Sequence, residues 1–363
     1  MRPTRVAILG ATGSIGQQAL EVIAAHPDRL RVTALAARSR RDALTALAAK
    51  LGVTRIAAGD EDLVGLATAD DVDLVLVATP GIAGLRPTLA ALAAGKDVAL
   101  ANKEVLVVGG HLVRAAVGGA GKRLRPVDSE HCALWQCLNG LDPDRVKRVA
   151  ITASGGPFRE RALETFSSIT ADEALRHPTW RMGPKVTVDS ATLANKAYEV
   201  VETHWLYGLP YDRIDVVLHP ESVVHAMVEL ADGSVIASIA EPDMRLAIQY
   251  ALLWDHLPSL APRFDWTKER TLHFGEVELG RYPCFSHVLA AARSGDQGAM
   301  IGVSAADEVA VGRFLAGEIA FTEIAGLLRH GAELGAGAAP ALDEIERIDG
   351  RVRRELAPAG ARA

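Results

Sequence analysis

The chain has 363 residues, of which 49% are hydrophobic and 23% charged, and its formal net charge is −6. This length predicts two or three domains with sizeable cores, and the acidic balance excludes a general coat for nucleic acid while allowing a local site for small anions. A strand-like run begins within five residues of the start, where a signal peptide would need its charged and apolar regions. No apolar run reaches the roughly eighteen residues of a membrane helix. We therefore expect a cytoplasmic protein without membrane or nucleic-acid partners.

The cysteines are too few and too scattered for a disulfide framework. Cys132, Cys137 and Cys284 form no C-x-x-C pair, and an odd number cannot pair fully. We expect reduced, mostly buried thiols.

The first hundred residues alternate short apolar runs with helical patterns. Strands are predicted at 5–10, 30–37, 54–58, 72–79 and 97–101. Helices are predicted near 14–26, 41–51 and 83–94. Strands separated by helices indicate an α/β domain with a parallel sheet and crossover connections.

The rest of the chain has a different pattern. Strands are predicted at 148–154, 214–219, 222–230 and 234–240, with a hairpin turn at 231–233. A stretch rich in proline, aromatic and charged residues predicts an extended linker, and helical spacing follows it. The predicted parts are an N-terminal domain, a central α+β domain, the linker and a C-terminal helical domain, at 1–127, 128–254, 255–285 and 286–363.

Three glycines, Gly10, Gly13 and Gly16, lie between the first predicted strand and the first helix. Missing side chains at such a turn let backbone N–H groups and the helix N-terminus approach a pyrophosphate. A glycine triplet alone is a weak indication and also occurs in tight structural turns. Its βαβ context here favours a Rossmann-like dinucleotide-binding domain.

The end of the second predicted strand discriminates between cofactors. NAD sites place an acidic residue there to bind the ribose hydroxyls. This chain has Arg38, Ser39, Arg40 and Arg41 before the first acid, Asp42. Guanidinium groups favour a 2′-phosphate and hence NADP, and a solvated basic helix start is the alternative.

Two carboxylates stand two residues apart in the segment PVDSEH. On a strand, Asp128 and Glu130 would point to the same face about 6 to 7 Å apart and would repel each other. A nearby base is one way to balance them, since Lys122, Arg123 and Arg125 precede them. A divalent cation held by hard oxygen ligands is the other, and it would need a third carboxylate.

A third carboxylate is available further along the chain, where the apolar spacing predicts a helix that begins near Thr192. Lys196 and Glu199 are three residues apart and would share a face of this helix. Ser190 and Asn195 would lie with Lys196 at its N-terminal end, where free backbone N–H groups favour an anion such as phosphate.

Two further features concern the same site. Ser154, in ASGGPF, has flexible neighbours suited to a phosphate, although a lone serine is more often a cap or turn residue. The sequence VDSE at 127–130 has a near copy, VDSA, at 188–191, so spacing alone leaves open whether Asp128 or Asp189 binds a metal.

Two further segments contain histidines that are candidate site or core residues. Residues 177–185 mix Pro, Gly, Trp and Met without periodicity, which is typical of a mobile lid with apolar anchors. His219 is predicted at a strand exit, and His225 lies inside an apolar strand, where a core role is expected.

Eight segments occur in this order: GATGSIG, LANKE, PVDSEH, ASGGPF, HPTWRMGPK, VDSATLANKAYE, HPESVVHAMVE and EPDMRLAIQYAL. Jointly they resemble the 1-deoxy-D-xylulose 5-phosphate reductoisomerase family over almost the whole chain. The resemblance implies rearrangement and NADPH-dependent reduction of 1-deoxy-D-xylulose 5-phosphate to 2-C-methyl-D-erythritol 4-phosphate, on the methylerythritol phosphate route to isoprenoids. It also implies Mg²⁺, Mn²⁺ or Co²⁺ as cofactor, a homodimer, and a catalytic domain at 128–254 that carries the metal, substrate, lid and dimer interface.

The family's site residues transfer onto matching positions. The implied metal ligands are Asp128, Glu130 and Glu199, which decides against Asp189, and with Lys103 they form the implied catalytic group. The implied phosphate ligands are Ser154, Ser190, Asn195 and Lys196. Contacts to the sugar carbons are implied for Lys103, Ser129, Glu130, His177 and His219. The lid residues over substrate and nicotinamide would be Trp180 and Met182.

The implied NADPH contacts involve the glycine turn, two residues of LANKE and the lid. They are Gly10, Thr12, Gly13, Ser14, Ile15, Asn102, Glu104, Met182 and Gly183. The residues implied near the 2′-phosphate are Arg38, Ser39 and Arg40.

The chain departs from the family pattern at four places. Residues 38–40 replace a Gly-Lys/Arg-Asn type sequence, and Arg181 stands in the lid where Ser is usual. Ala194 replaces a usual Met, and SAADE at 304–308 replaces an NAANE-like segment. None of these removes an implied ligand, so activity is expected to survive.

Two rival functions remain to be distinguished. A semialdehyde dehydrogenase shares the GATG start but would need an activated cysteine nucleophile, for which Cys132 before a helix is the candidate. A catalytically silent NADP-binding regulator would bind cofactor without any dependence of turnover on a divalent cation.

Overall fold

A computed structural model of the chain describes residues 2–59, 62–118, 123–337 and 340–358. The chain forms two compact units that each combine distant segments. The N-terminal unit comprises Met1–Val105, His111–Asn139 and Asp243–Asp265. The second unit comprises Leu106–Gly110, Gly140–Pro242 and Trp266–Ala363. The four-part division drawn from the sequence stays a prediction.

The strands and helices of the described residues are numbered in chain order. The strands are β1 Thr4–Leu9, β2 Leu30–Ala37, β3 Arg55–Ala58, β4 Leu74–Val77, β5 Asp97–Leu100, β6 Leu124–Pro126, β7 Val146–Ala153, β8 Ile214–Leu218, β9 Val224–Leu230 and β10 Val235–Ile239. The helices are α1 Ser14–Ala25, α2 Arg41–Leu51, α3 Leu63–Thr68, α4 Leu85–Ala93, α5 Glu104–Val117, α6 Ser129–Leu138, α7 Ala171–Ala174, α8 Pro184–Thr192, α9 Ala194–Tyr207, α10 Met244–Leu253, α11 Pro283–Arg293, α12 Gln297–Leu315, α13 Ile324–Gly335 and α14 Leu342–Leu356.

The N-terminal unit is built on a six-stranded sheet in the order β3-β2-β1-β4-β5-β6, with every pairing parallel. Its central strands are apolar and buried on both faces, as parallel strands covered by helices must be; all four residues of β4 are buried. The strand order reverses direction between β1 and β4, which is where α/β sheets of this type bind nucleotides. The predicted strands and helices of residues 4–101 are confirmed.

The second unit contains a four-stranded mixed sheet in the order β10-β9-β7-β8 and a set of C-terminal helices. β7 pairs with β8 in parallel and with β9 in antiparallel orientation, and β9 pairs with β10 through the predicted hairpin. Gly233 in that turn has a φ of +87°, a conformation that glycine adopts without strain. The four predicted strands and the helical C-terminal part are confirmed.

Two predictions from composition can be checked directly. Cys132, Cys137 and Cys284 are free and buried, as expected. Among the described residues, no helix has the length and hydropathy that crossing a bilayer would require.

Candidate functional site

The glycine turn after β1 is shaped by close backbone packing. Gly10 has a φ of +99°, and a Cβ there would lie 2.4 Å from the carbonyl oxygen of Ala78. A Cβ on Gly16 would lie 2.4 Å from the carbonyl oxygen of Gly10. Gly13 is the N-cap of α1 and provides no side chain to cap it. The turn therefore leaves the N-terminal N–H groups of α1, around Ser14 and Ile15, to bind an anion.

The basic segment after β2 lies beside this turn, because β2 pairs with β1. Arg38, Ser39 and Arg40 are all exposed, and the Arg40 guanidinium donates a hydrogen bond to the carbonyl oxygen of Thr12 at 3.1 Å. No acidic residue occupies the end of β2. This is the position at which a cofactor's 2′-substituent is recognised in dinucleotide-binding folds.

The segment between β5 and α5 is buried. The Asn102 amide donates to the carbonyl oxygens of Thr79 and Gly81, the latter at 2.8 Å, and its oxygen accepts from the Val105 N–H at 3.1 Å. The Asn102 side chain thus fastens the loop after β4 to the start of α5, a structural role that the implied cofactor contact did not include. Glu104 is the first residue of α5 and is also buried.

The placement of Asp128 and Glu130 on a strand is wrong. β6 ends at Pro126, and Asp128 is the N-cap of α6, where its carboxylate accepts from the Ser129 N–H at 3.0 Å. Glu130 lies in the first turn and accepts a hydrogen bond from the Ser129 hydroxyl at 2.6 Å. Carboxylate oxygens of Asp128 and Glu130 approach within 4.8 Å, closer than a strand would bring them. The free N–H groups of a helix N-terminus help two carboxylates to lie this close.

A base does neutralise Asp128, and among the described residues that base is Lys103. The ammonium of Lys103, which is 9% exposed, lies 2.8 Å from the Asp128 carboxylate. Arg125 pairs instead with Asp97. Lys122 lies outside the described residues. Asp128 therefore meets a cation from a segment that is distant in sequence.

The loop after β7 and the start of the lid are linked through His177. Its Nδ1 accepts from the N–H groups of Thr179 and Trp180, at 3.1 and 2.8 Å, so the ring proton resides on Nε2 and points to the Ser154 hydroxyl oxygen at 3.2 Å. Burial, together with the positive charge of Lys196, lowers the pKa of His177 to about 4. His177 is consequently a neutral hydrogen-bond donor near pH 7.

The helix predicted to begin near Thr192 is α9, and a separate helix, α8, precedes it. α8 begins inside the segment read as a lid, with Gly183 as N-cap and Pro184 in its first turn. α9 begins at Ala194 after Leu193 in the left-handed conformation. Ser190 therefore lies in the last turn of α8 and not at the N-terminal end of α9.

Glu199 is 1% exposed and faces the two residues predicted with it on α9. The Asn195 amide donates to one of its oxygens at 2.6 Å, and the Lys196 ammonium pairs with the other. Lys196 is itself buried. The predicted shared face of Lys196 and Glu199 is confirmed, and the structure adds that the two charges are already paired.

The two histidines of β8 and β9 are both buried. His219 follows β8, and its Nε2 accepts from the N–H groups of Val223 and Val224 at 3.3 and 3.1 Å. Its Nδ1 lies 2.9 Å from the carbonyl oxygen of His273. Both ring nitrogens of His219 therefore have protein partners, so its implied contact with the sugar stays a prediction that would require these bonds to change. His225 lies inside β9, as predicted.

The cysteine required by the semialdehyde dehydrogenase alternative is poorly suited to attack a carbonyl. Cys132 is 1% exposed, and burial raises the pKa of its thiol to about 12. It packs with Ala247 and Tyr250 of α10 in an apolar cluster. A nucleophilic cysteine needs a lowered pKa and access to substrate, so this alternative loses its candidate.

Residues that support the Ser154 loop were not found from sequence. The Arg159 guanidinium donates to the carbonyl oxygen of Ser154 at 2.6 Å, and the Tyr282 hydroxyl donates to that of Gly155 at 2.9 Å. Arg159 lies close enough along the chain to have been considered. Tyr282 is 127 residues away from Gly155, and no local pattern indicates the contact.

Comparison with known proteins gives concordant matches along the chain. Residues 6–57 and 45–110 match the model of the 1-deoxy-D-xylulose 5-phosphate reductoisomerase family, residues 124–207 match the model of that enzyme's C-terminal domain, and residues 239–355 match a further DXP reductoisomerase C-terminal domain model. A protein named 1-deoxy-D-xylulose 5-phosphate reductoisomerase from Thermomicrobium roseum is 49% identical, with 89% of each chain covered. One of the same name from a Geobacillus species is 43% identical, with 96% of this chain and 98% of that protein covered.

Solved structures agree with these matches. A crystal structure of DOX-P reductoisomerase in complex with NADPH, fosmidomycin and magnesium is similar with a TM-score of 0.91, 36% identity and 97% of both chains covered. The 1-deoxy-D-xylulose 5-phosphate reductoisomerase of Zymomonas mobilis, in complex with NADPH, has a TM-score of 0.88, 36% identity and 98% of both chains covered.

Proposed function

The chain belongs to the 1-deoxy-D-xylulose 5-phosphate reductoisomerase family, and we infer that it converts 1-deoxy-D-xylulose 5-phosphate to 2-C-methyl-D-erythritol 4-phosphate with NADPH and a divalent cation. It is thus an oxidoreductase of isoprenoid precursor biosynthesis. The observation that carries this conclusion is the match over nearly the full length to relatives and to a solved complex with NADPH and magnesium.

The residues of the N-terminal unit fit NADPH. The turn is too tightly packed at Gly10 and Gly16 to accept side chains, and the helix N-terminus that follows Gly13 suits the pyrophosphate. Arg38 and Arg40, at the end of β2, suit the 2′-phosphate. Bound NADPH supplies the hydride for the reduction.

We propose Asp128, Glu130 and Glu199 as the ligands of the divalent cation. Three carboxylates form the hard-oxygen donor set that Mg²⁺ and Mn²⁺ prefer, and Mg²⁺, Mn²⁺ or Co²⁺ is each a candidate. Bound there, the cation supplies Lewis-acid stabilisation of the negative charge that develops on substrate oxygens during rearrangement. Lys103, beside Asp128, adds a positive charge on the same side.

We propose that Ser154, Ser190, Asn195 and Lys196 bind the substrate phosphate. The Lys196 ammonium, now paired with Glu199, can exchange that carboxylate for a phosphate dianion. The exchange would leave Glu199 available as a cation ligand, so phosphate binding and cation binding support each other. Holding the phosphate orients the sugar away from the reacting carbons and contributes to turnover as well as to affinity.

The remaining residues orient the sugar and exclude water. Neutral His177 donates a hydrogen bond without adding charge, and its backbone partners at Thr179 and Trp180 fix the start of the lid. We propose that Trp180 and Met182 close over substrate and nicotinamide, which keeps water from the reacting carbonyl. Ser129 and His219 are further proposed sugar contacts.

The direct test is NADPH oxidation measured with 1-deoxy-D-xylulose 5-phosphate, with Mg²⁺ or Mn²⁺ added and after chelation. We expect turnover only with the cation present, and reversible inhibition by phosphonate hydroxamates such as fosmidomycin. NADPH binding without cation-dependent turnover would contradict the proposal and favour the silent NADP-binding regulator. Metal-independent formation of an acyl phosphate would favour the dehydrogenase alternative.

We further propose that the protein works as a homodimer in the cytoplasm. The family resemblance is the main support for the dimer. A second support is β10, which pairs only with β9 in the described sheet and exposes Val235 and Ile236 by 55% and 37%. An apolar edge strand of this kind is normally covered. Sedimentation equilibrium would show a single species of twice the chain mass, and a monomer at working concentration would contradict the proposal.

A further inference from the structure

A charged cluster lies at the base of the lid, apart from the residues assigned above, and consists of one partly buried ammonium between two buried carboxylates. The Lys185 ammonium, in the first turn of α8, lies 2.7 Å from a carboxylate oxygen of Asp189 and 2.7 Å from one of Asp307. Asp189 is 1% exposed and Asp307 is fully buried. Asp189 is on α8 itself, whereas Asp307 belongs to α12, in the helical C-terminal part. Lys185 thus joins the start of α8 to a helix more than one hundred residues away.

The same ammonium also contacts α9. It lies 5.1 Å from the centroid of the Tyr198 ring, and Tyr198 is fully buried. A cation over an aromatic face is attracted by the ring quadrupole, most strongly where water is excluded. Three helices, α8, α9 and α12, therefore converge on one side chain.

α8 needs such an anchor because its own sequence holds a helix weakly. Val186, Thr187 and Val188 are β-branched residues with low helix propensity. Gly183 gives the helix no side-chain cap, and the lid residues before it form no regular element. Lys185 bridges Asp189 of its own helix to Asp307 of α12, so loss of Asp307 would leave Lys185 paired within α8 and would remove this link between the two helices.

We propose that Lys185 and Asp307 are positioning residues for the substrate phosphate. They act by holding α8, which carries Ser190 in its last turn and bears the lid at its first. This inference rests on the proposed function insofar as Ser190 is a phosphate ligand. Neither residue is proposed to contact the reacting groups.

Asp307 is also a point of departure from the family pattern, since it stands in SAADE where an NAANE-like segment is usual. An asparagine at this position could still accept a hydrogen bond from Lys185 but would carry no charge. The acid in this chain makes the contact between α8 and α12 a full ion pair. Asp307→Asn is therefore a conservative variant that keeps the shape and removes the charge.

The kinetic test compares Asp307→Leu, Asp307→Asn and a matched control, Glu308→Gln. Glu308 is the next residue on α12 and pairs with Arg353 of α14, not with α8. We expect Asp307→Leu to raise the KM for the sugar phosphate about tenfold and the KM for NADPH, most of whose proposed contacts lie in the N-terminal unit, about twofold or less. Asp307→Asn should recover most of the loss for the sugar phosphate. Glu308→Gln should leave both constants unchanged. Equal changes in both KM values, or no change in either, would overturn the proposal.

A second test needs no turnover, so it stays valid if the proposed substrate is wrong. Arg181 lies in the lid, four residues before Lys185, and is exposed, so trypsin can cleave the peptide bond between Arg181 and Met182. We expect cleavage there, measured by mass spectrometry on the full chain, to be about tenfold faster in Asp307→Leu and about twofold faster in Asp307→Asn, because local opening sets the rate. Wild-type rates in Asp307→Leu, or equal acceleration in Glu308→Gln, would show that the cluster does not hold α8.

Discussion

The N-terminal unit and the second unit each contain a proposed anion site, and the two sites are built differently. The first is the glycine turn, and the second is the Glu199 cluster, formed by Asn195, Lys196 and Glu199. The turn at residues 10–16 offers backbone N–H groups and works because side chains are missing. The cluster offers side chains instead: Lys196 and Asn195 bind the buried carboxylate of Glu199 in this structure. An added methyl group should destroy the first site, whereas a removed charge should disable the second.

The largest expected effect comes from removing one acidic charge. Glu130→Gln keeps the size of the side chain but removes the negative charge that makes a carboxylate a strong cation ligand, so turnover should fall by about a thousandfold or more. NADPH affinity, measured by fluorescence titration, should be nearly unchanged because the glycine turn is untouched. Equal loss of turnover and of NADPH affinity would contradict separate cation and cofactor sites.

The converse experiment adds one methyl group to the turn. In Gly16→Ala the new Cβ would lie 2.4 Å from the Gly10 carbonyl oxygen, so the turn must shift, and NADPH affinity should fall by about a hundredfold. Gly312→Ala is the matched control, since a Cβ there meets nothing within 4 Å. A Gly16→Ala enzyme that binds NADPH normally would show that the turn does not carry the cofactor.

A smaller change is expected where side chains do assist the turn. Arg40→Ala removes a guanidinium from the end of β2 and should lower the preference for NADPH over NADH about tenfold, or about 1.4 kcal/mol. The ratio of kcat/KM for the two cofactors measures this. An unchanged ratio would assign Arg40 only its hydrogen bond to Thr12.

The smallest effect is a pH dependence of stability. The pKa of His177 is lowered from 6.5 to about 4, so between these values the unfolded chain binds the proton that the folded chain does not. The ring is partly exposed and solvent screens the effect, so the resulting stabilisation is about 1 kcal/mol; it is fully present above pH 6.5 and is lost as pH falls toward 4. Urea unfolding at several pH values should show this slope for the wild type and a shallower one for His177→Asn. Equal slopes would contradict the buried, neutral histidine.

The sequence predicted the regular part of the fold because hydrophobic periodicity and turn residues are local signals. β1, α1 and β2 fall where the pattern placed them. It failed for α8, whose run of Val and Thr is typical of strands, although Pro184 after a glycine was an available signal for a helix start. It also failed for Asp128, where an acidic residue directly before an apolar helix could have been interpreted as an N-cap.

In the candidate site, too, contacts between residues close in sequence were predictable and contacts between distant segments were not. Lys196 and Glu199 were predicted to share a face because they are three positions apart on a helix. The pairing of Lys103 with Asp128 and of Lys185 with Asp307 joins distant segments, and such contacts depend on tertiary packing that no local pattern records. Residue types indicated the chemistry, and only the fold supplied the partners.

The proposed binding of one divalent cation by three carboxylates can be observed in a crystal soaked with Mn²⁺. Anomalous scattering should place a single ion in contact with oxygens of Asp128, Glu130 and Glu199. The same soak of Glu130→Gln should lack it. An ion elsewhere, or no ion while Lys103 and Lys196 still hold Asp128 and Glu199, would contradict the account.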